Sequence, residues 1–174
     1  MTYYLKAGIQ LFMKSYDYLV IGGGMTAAAA AKAIREIDIN GSIGMMSAET
    51  DAPYNRPPLS ESLWKGKPED GIWRKLENVD LHLGSTVTKI VPDQKQAVCA
   101  DGSVFGYGKL LLATGGAPRQ LPFGHDHVIY FRTLADYRRL RELTENGSRF
   151  AVIGGGFIGS EIAAALAMSD KEVV

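Results

Sequence analysis

The sequence predicts an α/β fold in which a strand, a glycine turn and a helix occur twice along the chain. The two copies span residues 18–31 and 150–167, and in each a hydrophobic run ends in three consecutive glycines and opens into an alanine-rich stretch. A short apolar run followed by a helical stretch is typical of the βα unit of a parallel sheet. The sequence therefore indicates two Rossmann-like units, each with a candidate nucleotide site.

The glycine spacing in each copy supports this interpretation. The second copy matches G-x-G-x-x-G and the first has alanine at the third position: Gly154, Gly156 and Gly159, against Gly22, Gly24 and Ala27. The first glycine allows a tight turn, the second lets the backbone approach a pyrophosphate, and the third packs helix against strand. Unpaired N–H groups at a helix N-terminus favour a bound phosphate. Such turns also occur where nothing binds, so it is the repetition that favours a dinucleotide.

Composition excludes several classes of function. The chain has 174 residues, 46% of them hydrophobic, with 19 basic residues balanced by 19 acidic ones, which is typical of a soluble protein. Nucleic-acid binding would need a basic surplus, and the arginines at 138, 139 and 141 fit the solvated face of a helix. Cys99 is the single cysteine, so we expect no disulfide framework and a cytoplasmic location. No apolar run approaches the roughly eighteen residues that span a bilayer.

The chain is expected to divide into three parts. Residues 1–13 form an N-terminal extension, residues 14–131 a first nucleotide-binding domain, and residues 132–174 the beginning of a second. Residues 1–12 lack the basic start and the small-residue cleavage site of a secretory signal, and we exclude them from the fold.

Between the two copies, several segments have predictable roles. Residues 42–47 form a candidate second strand, and Glu49 follows it where a Rossmann unit places the acid that binds a ribose, although a plain loop carboxylate fits as well. The prolines at 53, 57 and 58 exclude regular structure as far as Ser60, a candidate N-cap for residues 61–65. Arg56 on this stiff loop suits a phosphate, or is simply solvated.

The rest of the chain is predicted to contain short strands and two helices. Three β-like runs predict a small antiparallel meander over residues 87–91, 96–100 and 104–107. Residues 110–114 fit a fully buried strand, followed by a glycine turn at 115–119 that brings backbone close to a ligand or is a sharp exit. Residues 135–146 fit a helix that stops at Gly147. In the second copy, residues 150–153 are expected to be a buried strand and residues 161–168 a helix.

Four blocks of residues resemble one known family. They are residues 20–24, 53–60, 112–119 and 154–161. In order and spacing they resemble the flavoproteins that include apoptosis-inducing factor, rubredoxin reductases and the ferredoxin reductases of aromatic-ring dioxygenases, over about residues 14–174. The resemblance implies a flavoprotein fold with two dinucleotide-binding domains. A Rossmann-like FAD domain, with a parallel sheet and an antiparallel meander, is followed by the start of a Rossmann-like NAD domain.

The resemblance also implies the site residues. For FAD they are Gly22, Gly24, Met25, Thr26, Ala27, Glu49, Arg56, Pro57, Val87, Ala113, Thr114, Gly115 and Arg119. For NADH or NADPH they are Gly154, Gly156, Phe157, Ile158, Gly159 and Glu161. Phe157 and Glu161 are the implied catalytic residues. Phe157 would shield the nicotinamide, and Glu161 would lie by the reactive edge of the flavin. They are four residues apart and share one helix face. The alternative is a core phenylalanine and an early-turn carboxylate stabilised by the helix dipole.

The implied activity is hydride transfer from NAD(P)H to FAD, then electron transfer to an iron–sulfur protein, a quinone or oxygen. Two positions depart from the family pattern. Glu61 stands where relatives have lysine, and its carboxylate would repel that of Glu161. Ala48 stands where relatives often have a first acid ahead of Glu49. Relatives are also longer, so we expect residues 150–174 to be poorly ordered or aggregation-prone, and this chain alone not to run a full catalytic cycle.

Other classes of function stay open at this point. A disulfide reductase is disfavoured because no cysteine pair lies near residues 54–60, whereas a non-catalytic nucleotide-binding or interaction module would fit the same motifs. No metal site is expected, because the histidines at 82, 125 and 127 lack ligand spacing. Expected partners are NAD(P)H, an iron–sulfur acceptor protein and a second copy in a homodimer, with no nucleic acid.

Overall fold

The computed structural model describes residues 14–124 and 127–174. The predicted N-terminal extension, residues 1–13, and His125 lie outside the described residues. Within the described part the chain forms two compact units, one of residues 14–54 and 74–115, the other of residues 55–73, 116–124 and 127–174. Each unit contains one of the two glycine turns.

The first unit is built on a six-stranded mixed sheet. Its strands are β1 (Lys14–Ile21), β2 (Ile43–Met46), β3 (Val79–His82), β4 (Val87–Val91), β5 (Gln96–Cys99) and β6 (Val104–Leu112). They lie in the order β3-β2-β1-β6-β5-β4, parallel from β3 to β6 and antiparallel from β6 to β4. The predicted α/β class, the second strand and the antiparallel meander are therefore confirmed.

One strand differs from its prediction. The runs 104–107 and 110–114 are not separate, because β6 continues through Gly108 to Leu112 and pairs with β1 between Phe105 and Leu112. A Cβ at Gly108 would lie 2.9 Å from the carbonyl oxygen of Asp17, so the glycine marks a close backbone approach rather than a break. The prediction of full burial is also wrong, since Leu112 is 59% exposed in the described structure.

Helix α1 (Met25–Ile37) follows β1 and covers one face of this sheet. Its buried alanines pack with strand residues in one apolar cluster: Val20, Ala27, Ala31, Ile43 and Met45. Alanine side chains add little height to a helix, so the helix axis can approach the strands closely. A second cluster includes Tyr16, Leu19 and Cys99 of the same sheet.

The second unit contains three short 3-10 segments and helix α2 (Leu134–Asn146). Thr133 caps α2, accepting from the N–H of Asp136 while Asp136 accepts from the N–H of Thr133, which forms a complete capping box. Trp64 is buried against Tyr137 at a centroid distance of 5.7 Å, with rings nearly perpendicular. These contacts fix the loop of residues 55–73 against α2 within this unit.

Two arginines on the predicted solvated face of α2 also contact the loop of residues 55–73. Arg138 donates to Glu69 at 2.8 Å, and the guanidinium of Arg141 lies 5.0 Å from the centre of the Trp64 ring. Both arginines remain exposed to solvent. The arginines therefore help to hold the loop 55–73 as well as facing water.

The second glycine copy forms a small strand–helix–strand motif. Strand β7 (Arg149–Phe150) and strand β8 (Glu172–Val173) pair in parallel, and helix α3 (Phe157–Met168) connects them. The predicted buried strand 150–153 is wrong in length and burial, since β7 ends at Phe150 and Ile153 is 70% exposed. A two-stranded ribbon cannot cover both faces of a strand. The predicted helix is confirmed and begins at Phe157.

Candidate functional site

The first glycine turn is held between the two strands that flank β1. The N–H of Gly22 donates to the carbonyl of Met46 at 2.8 Å, and the N–H of Ala113 donates to the carbonyl of Ile21 at 2.7 Å. Gly22 has φ +123°, and a Cβ there would lie 2.1 Å from the carbonyl oxygen of Ala113. Only glycine fits this position, because both the dihedral angle and the space exclude a side chain.

The N-terminus of α1 begins directly after this turn. Gly24 is the N-cap residue, no side chain caps it, and the first turn contains no acidic residue. The first intrahelical bond runs from the N–H of Ala28 to the carbonyl of Gly24. Helix geometry therefore leaves the N–H groups of Met25, Thr26 and Ala27 without an intrahelical acceptor. An anion such as a diphosphate suits these donors and the positive end of the helix dipole.

Glu49 lies just beyond β2, beside this turn. Its carboxylate accepts a 2.6 Å hydrogen bond from the hydroxyl of Tyr54, which is 3% exposed, and its N–H donates to the Ser47 hydroxyl at 3.2 Å. The Ser47 side chain also lies against Gly23, since a Cβ on that glycine would be 2.3 Å from Oγ. The carboxylate is therefore held in one place next to the turn, as a ribose-binding acid needs.

Two further segments meet the same edge of the sheet. Ala113 and Thr114 follow β6 and contact Gly22, and Gly115 has φ +68°. On the other side of β1, the N–H groups of Gly84 and Ser85 donate to the carbonyls of Glu49 and Ser47. Because Val87 begins β4 two residues after Ser85, this backbone is brought next to Glu49. The structure thus brings Gly22, Glu49, Ala113 and Thr114 to the carboxyl ends of the parallel strands β1, β2 and β6, where open α/β sheets bind ligands, whereas Val87 is the first residue of the antiparallel strand β4.

The second glycine turn repeats this backbone geometry in the second unit. Gly154 has φ +117°, and Gly156 is the N-cap of α3 with no side-chain cap and no acid in the first turn. A Cβ on Gly159 would lie 1.9 Å from the carbonyl oxygen of Gly154, so the third glycine lets the helix pack on its own turn. In contrast, a Cβ on Gly154, Gly155 or Gly156 would meet no described atom within 4 Å. The turn therefore opens onto space that a diphosphate could fill.

Of the two predicted catalytic residues, Phe157 is 90% exposed and Glu161 is half-buried. The exposure excludes Phe157 from the core of the described structure. Ser60 Oγ donates to Glu161 Oε2 at 2.6 Å. The side chain of Glu61 is exposed, and its repulsion with Glu161 stays a prediction.

Ser60 does not act as the N-cap of the segment after it, as the sequence had predicted. The 3-10 segment Ser62–Lys65 has Glu61 as its N-cap residue and no side-chain cap. Ser60 instead ends the preceding 3-10 turn, Pro57–Leu59, and its φ of −100° and ψ of −7° are helical. An N-cap residue needs extended backbone for its oxygen to reach the helix N–H groups, so the prediction is wrong for a local geometric reason.

The remaining predicted cofactor residues also lie in the second unit. Arg56 donates to the carbonyl of Arg132 at 2.9 Å, and Pro57 starts the 3-10 turn before Ser60. Ile158 and Arg119 are exposed. Their cofactor roles stay predictions.

Sequence reasoning missed three side chains that hold site residues: Ser47, Tyr54 and Ser60. Each acts on a residue that the motifs did identify, and Ser60 and Glu161 are 101 positions apart in the sequence. Tyr54 and Ser60 both belong to the proline block that carries the family resemblance, which is the one signal that could have found them.

Cys99 and the potential metal ligands give no further candidate site among the described residues. Cys99 is buried in the sheet, where burial raises the pKa of its thiol, so it lacks the exposed thiolate of a redox cysteine. No group of three or more His, Cys, Asp or Glu residues among the described ones could hold a metal ion. No helix in residues 14–124 and 127–174 is long and apolar enough to span a membrane.

The first unit also has a cavity of about 260 Å³ that does not involve the glycine turn. It is lined by Ala31, Lys32, Arg35, Glu36, Lys75, Leu76, Glu77 and Val79. The cavity lies along the later turns of α1, away from the N-terminal turn that carries the unpaired N–H groups. We therefore assign the candidate chemistry to the glycine turns and not to this cavity.

Residues 16–174 match the protein family described as pyridine nucleotide-disulphide oxidoreductase. The chain belongs to this family. Members of the pyridine nucleotide-disulphide oxidoreductase family are oxidoreductases that use FAD and NAD(P)H. The resemblance predicted from the four sequence blocks is confirmed. Because this chain has one cysteine, it contains no cysteine pair of the kind that a disulfide reductase uses.

Within this family, the chain is similar to ferredoxin reductases, to apoptosis-inducing factor and to a rubredoxin oxidoreductase. The chain is 37% identical over 171 residues to the 5,5'-dehydrodivanillate O-demethylase ferredoxin reductase subunit of a Sphingobium species, covering 92% of this chain and 42% of that protein. It is 32% identical over 189 residues to apoptosis-inducing factor 1 of Dictyostelium discoideum, covering 94% and 36% respectively. Its structure is similar to NADH:rubredoxin oxidoreductase from Clostridium acetobutylicum, with a TM-score of 0.84, 28% identity, and coverage of 92% and 44%. The chain thus spans about two fifths of the length of these relatives.

Proposed function

We propose that the protein functions as an FAD-dependent NAD(P)H oxidoreductase of the ferredoxin-reductase type. When bound, FAD would supply two-electron chemistry: it would take up a hydride from NADH or NADPH and pass the electrons on, one at a time to ferredoxin- or rubredoxin-type iron–sulfur proteins or as a pair to a quinone or oxygen. The similarity to a ferredoxin reductase subunit and to an NADH:rubredoxin oxidoreductase supports an iron–sulfur acceptor.

One contrast among the three helices carries the proposal. The N-terminus of α2 is closed by its own capping box and has an acidic residue in its first turn, whereas α1 and α3 have glycine N-caps, no side-chain cap and no acid there. A helix that binds no anion gains stability from a side-chain cap, by roughly 0.5–2 kcal/mol. Leaving two N-termini open, each after a glycine turn, is favourable where a phosphate group completes them.

In the first unit, we assign backbone and side-chain roles separately. The N–H groups at the start of α1 would bind the FAD diphosphate, and Glu49, held by Tyr54, would accept hydrogen bonds from its ribose. The first-unit residues assigned to FAD are Gly22, Gly24, Met25, Thr26, Ala27, Glu49, Val87, Ala113, Thr114 and Gly115. The FAD roles of Arg56, Pro57 and Arg119 stay sequence-based predictions.

In the second unit, the turn before α3 would bind the diphosphate of NADH or NADPH. The residues assigned to it are Gly154, Gly156, Ile158 and Gly159. Phe157 would cover the reacting nicotinamide ring, and Glu161 would hold its oriented carboxylate by the reactive edge of the flavin, where the nicotinamide arrives. We propose residues 14–131 as the FAD domain and residues 132–174 as the beginning of the NAD(P)H domain. A homodimer and a cytoplasmic location stay predictions.

Flavin binding and reduction test this proposal. We expect the purified protein to bind FAD, measured by flavin fluorescence quenching, and Glu49→Gln to weaken binding by about ten-fold because a charge-assisted hydrogen bond is lost. Glu36→Gln, an exposed change on α1, is the matched control and should bind FAD as the wild type does. Equal affinities for wild type, E49Q and E36Q, or no FAD binding at all, would reject the assignment.

Reduction separates the oxidoreductase from the non-catalytic nucleotide-binding module. NADH and NADPH are added in turn to the FAD-loaded protein without oxygen, and the loss of flavin absorbance is followed. The proposed function predicts bleaching, whereas a non-catalytic nucleotide-binding module would bind the nucleotide and leave the flavin oxidised. Bleaching would also contradict the sequence-based expectation that residues 1–174 alone do not run a full catalytic cycle.

A further inference from the structure

Ser60 makes a side-chain contact with helix α3 that no sequence motif predicts. Its side chain is 7% exposed, and its hydroxyl lies 2.6 Å from Glu161 Oε2 and 3.4 Å from the carbonyl oxygen of Pro57. A serine hydroxyl has one proton to donate. The 2.6 Å distance is in the range of a charge-assisted O–H···O⁻ bond, whereas 3.4 Å is long for any such bond, so the proton is directed to Glu161.

The hydroxyl is presented by a stiff segment. Pro57 and Pro58 fix two φ angles, and the N–H of Ser60 donates to the carbonyl of Pro57 at 3.2 Å. The adjacent Leu59 is buried, and its carbonyl accepts a 2.8 Å hydrogen bond from Trp64 Nε1. The donor is therefore anchored before Glu161 meets it, as a positioning group requires.

Glu161 depends on this contact more than a surface glutamate would. It lies in α3 five residues after the N-cap Gly156, and no second hydrogen bond of its carboxylate occurs among the described residues. A glutamate side chain has several rotatable bonds, so without Ser60 the carboxylate would sample many rotamers.

We propose that Ser60 is the positioning residue of Glu161, holding Oε2 so that the carboxylate meets the nicotinamide nucleotide in one orientation. This inference rests on the proposed function, because it needs NADH or NADPH at the turn before α3. Ser60 itself touches neither nucleotide nor flavin in this assignment. Its effect reaches the nucleotide only through Glu161.

The test compares Ser60→Ala with Ser60→Thr, which keeps the hydroxyl, and with Ser62→Ala, a nearby serine whose side chain makes no hydrogen bond among the described residues. In the FAD-loaded protein we expect S60A to raise the Kd of NADH or NADPH, or to slow hydride transfer, by about ten-fold. S60T should recover most of the loss and S62A should match the wild type. If S60A does not fold, Ser60→Cys, a weaker donor of similar size, should give an intermediate loss.

A second readout is independent of activity. The carboxylate stretch of Glu161, identified by its loss in Glu161→Gln, should shift in the infrared spectrum of S60A and not in that of S62A. A wild type that binds no nicotinamide nucleotide would reject the proposed function and this inference with it. Normal nucleotide binding and hydride transfer in S60A, with or without lower stability, would reject the positioning role alone, since a purely structural serine would affect only stability.

Discussion

Replacing Gly22 with alanine tests the geometry on which the first site depends. The residue has φ +123°, and an added Cβ would lie 2.1 Å from the oxygen and 2.6 Å from the carbon of the Ala113 carbonyl. The backbone of neither residue can move easily, because the N–H of Gly22 is hydrogen-bonded to the Met46 carbonyl at 2.8 Å and the N–H of Ala113 to the Ile21 carbonyl at 2.7 Å. The substitution therefore has to distort the backbone at the end of β1.

The cost follows from two contributions. A non-glycine residue in an unfavourable backbone region costs about 1–3 kcal/mol. Relieving the clash breaks or lengthens one of the two anchoring hydrogen bonds, each contributing about 0.5–1.5 kcal/mol. Together we expect a loss of about 3 kcal/mol in the stability of the first unit. Since 1.4 kcal/mol corresponds to a factor of ten, amides protected by that unit should exchange about a hundred-fold faster.

Hydrogen exchange of the unliganded protein, followed on peptides from β1 and β6, measures this directly. Two controls separate the contributions: Gly154→Ala has φ +117° but an open Cβ position, and Gly116→Ala has an open Cβ position without a positive φ. Each is measured on peptides of its own unit. We expect the largest effect for G22A, a smaller one for G154A and almost none for G116A. Wild-type exchange in G22A, or an effect no larger than that of G154A, would show that the backbone at the end of β1 accommodates a side chain.

Three further substitutions test other contacts. Tyr54→Phe removes the hydrogen bond to Glu49 and should weaken FAD binding several-fold, as fluorescence titration would show; an unchanged Kd would contradict the role of Tyr54. Thr133→Ala should cost about 1 kcal/mol through loss of the α2 capping box, measured by exchange of α2 amides; wild-type protection would argue against the cap. Burial lowers the pKa of His82, with Lys14 acting in the same direction and Asp80 opposing, so the unfolded chain takes up the proton first as pH falls. Stability from His82 is therefore present above its ordinary pKa and lost as pH falls below it. We expect His82→Gln to make the free energy of unfolding, measured with urea, depend less on pH on the acid side. An unchanged pH dependence would contradict this.

Much of the backbone was predictable because its causes are local. The glycine turns, the α/β class, α1, α2 and the meander follow from residue type, spacing and periodicity within short stretches. The errors have local causes too: β6 continues through Gly108, and Ser60 adopts a helical rather than an extended conformation. Strand burial at Leu112 and Ile153 was not predictable, because exposure depends on what other segments pack there.

Two helices begin after glycine turns without side-chain caps, and this follows from residue order alone, because dihedral freedom and capping depend on adjacent residues. In contrast, the side chains that orient Glu49 and Glu161 are brought to them by folding. Tyr54 holds Glu49 through a five-residue loop, and Ser60 reaches Glu161 across 101 positions. A hydrogen bond depends on distances of a few tenths of an ångström, which periodicity cannot specify and folding of distant segments does.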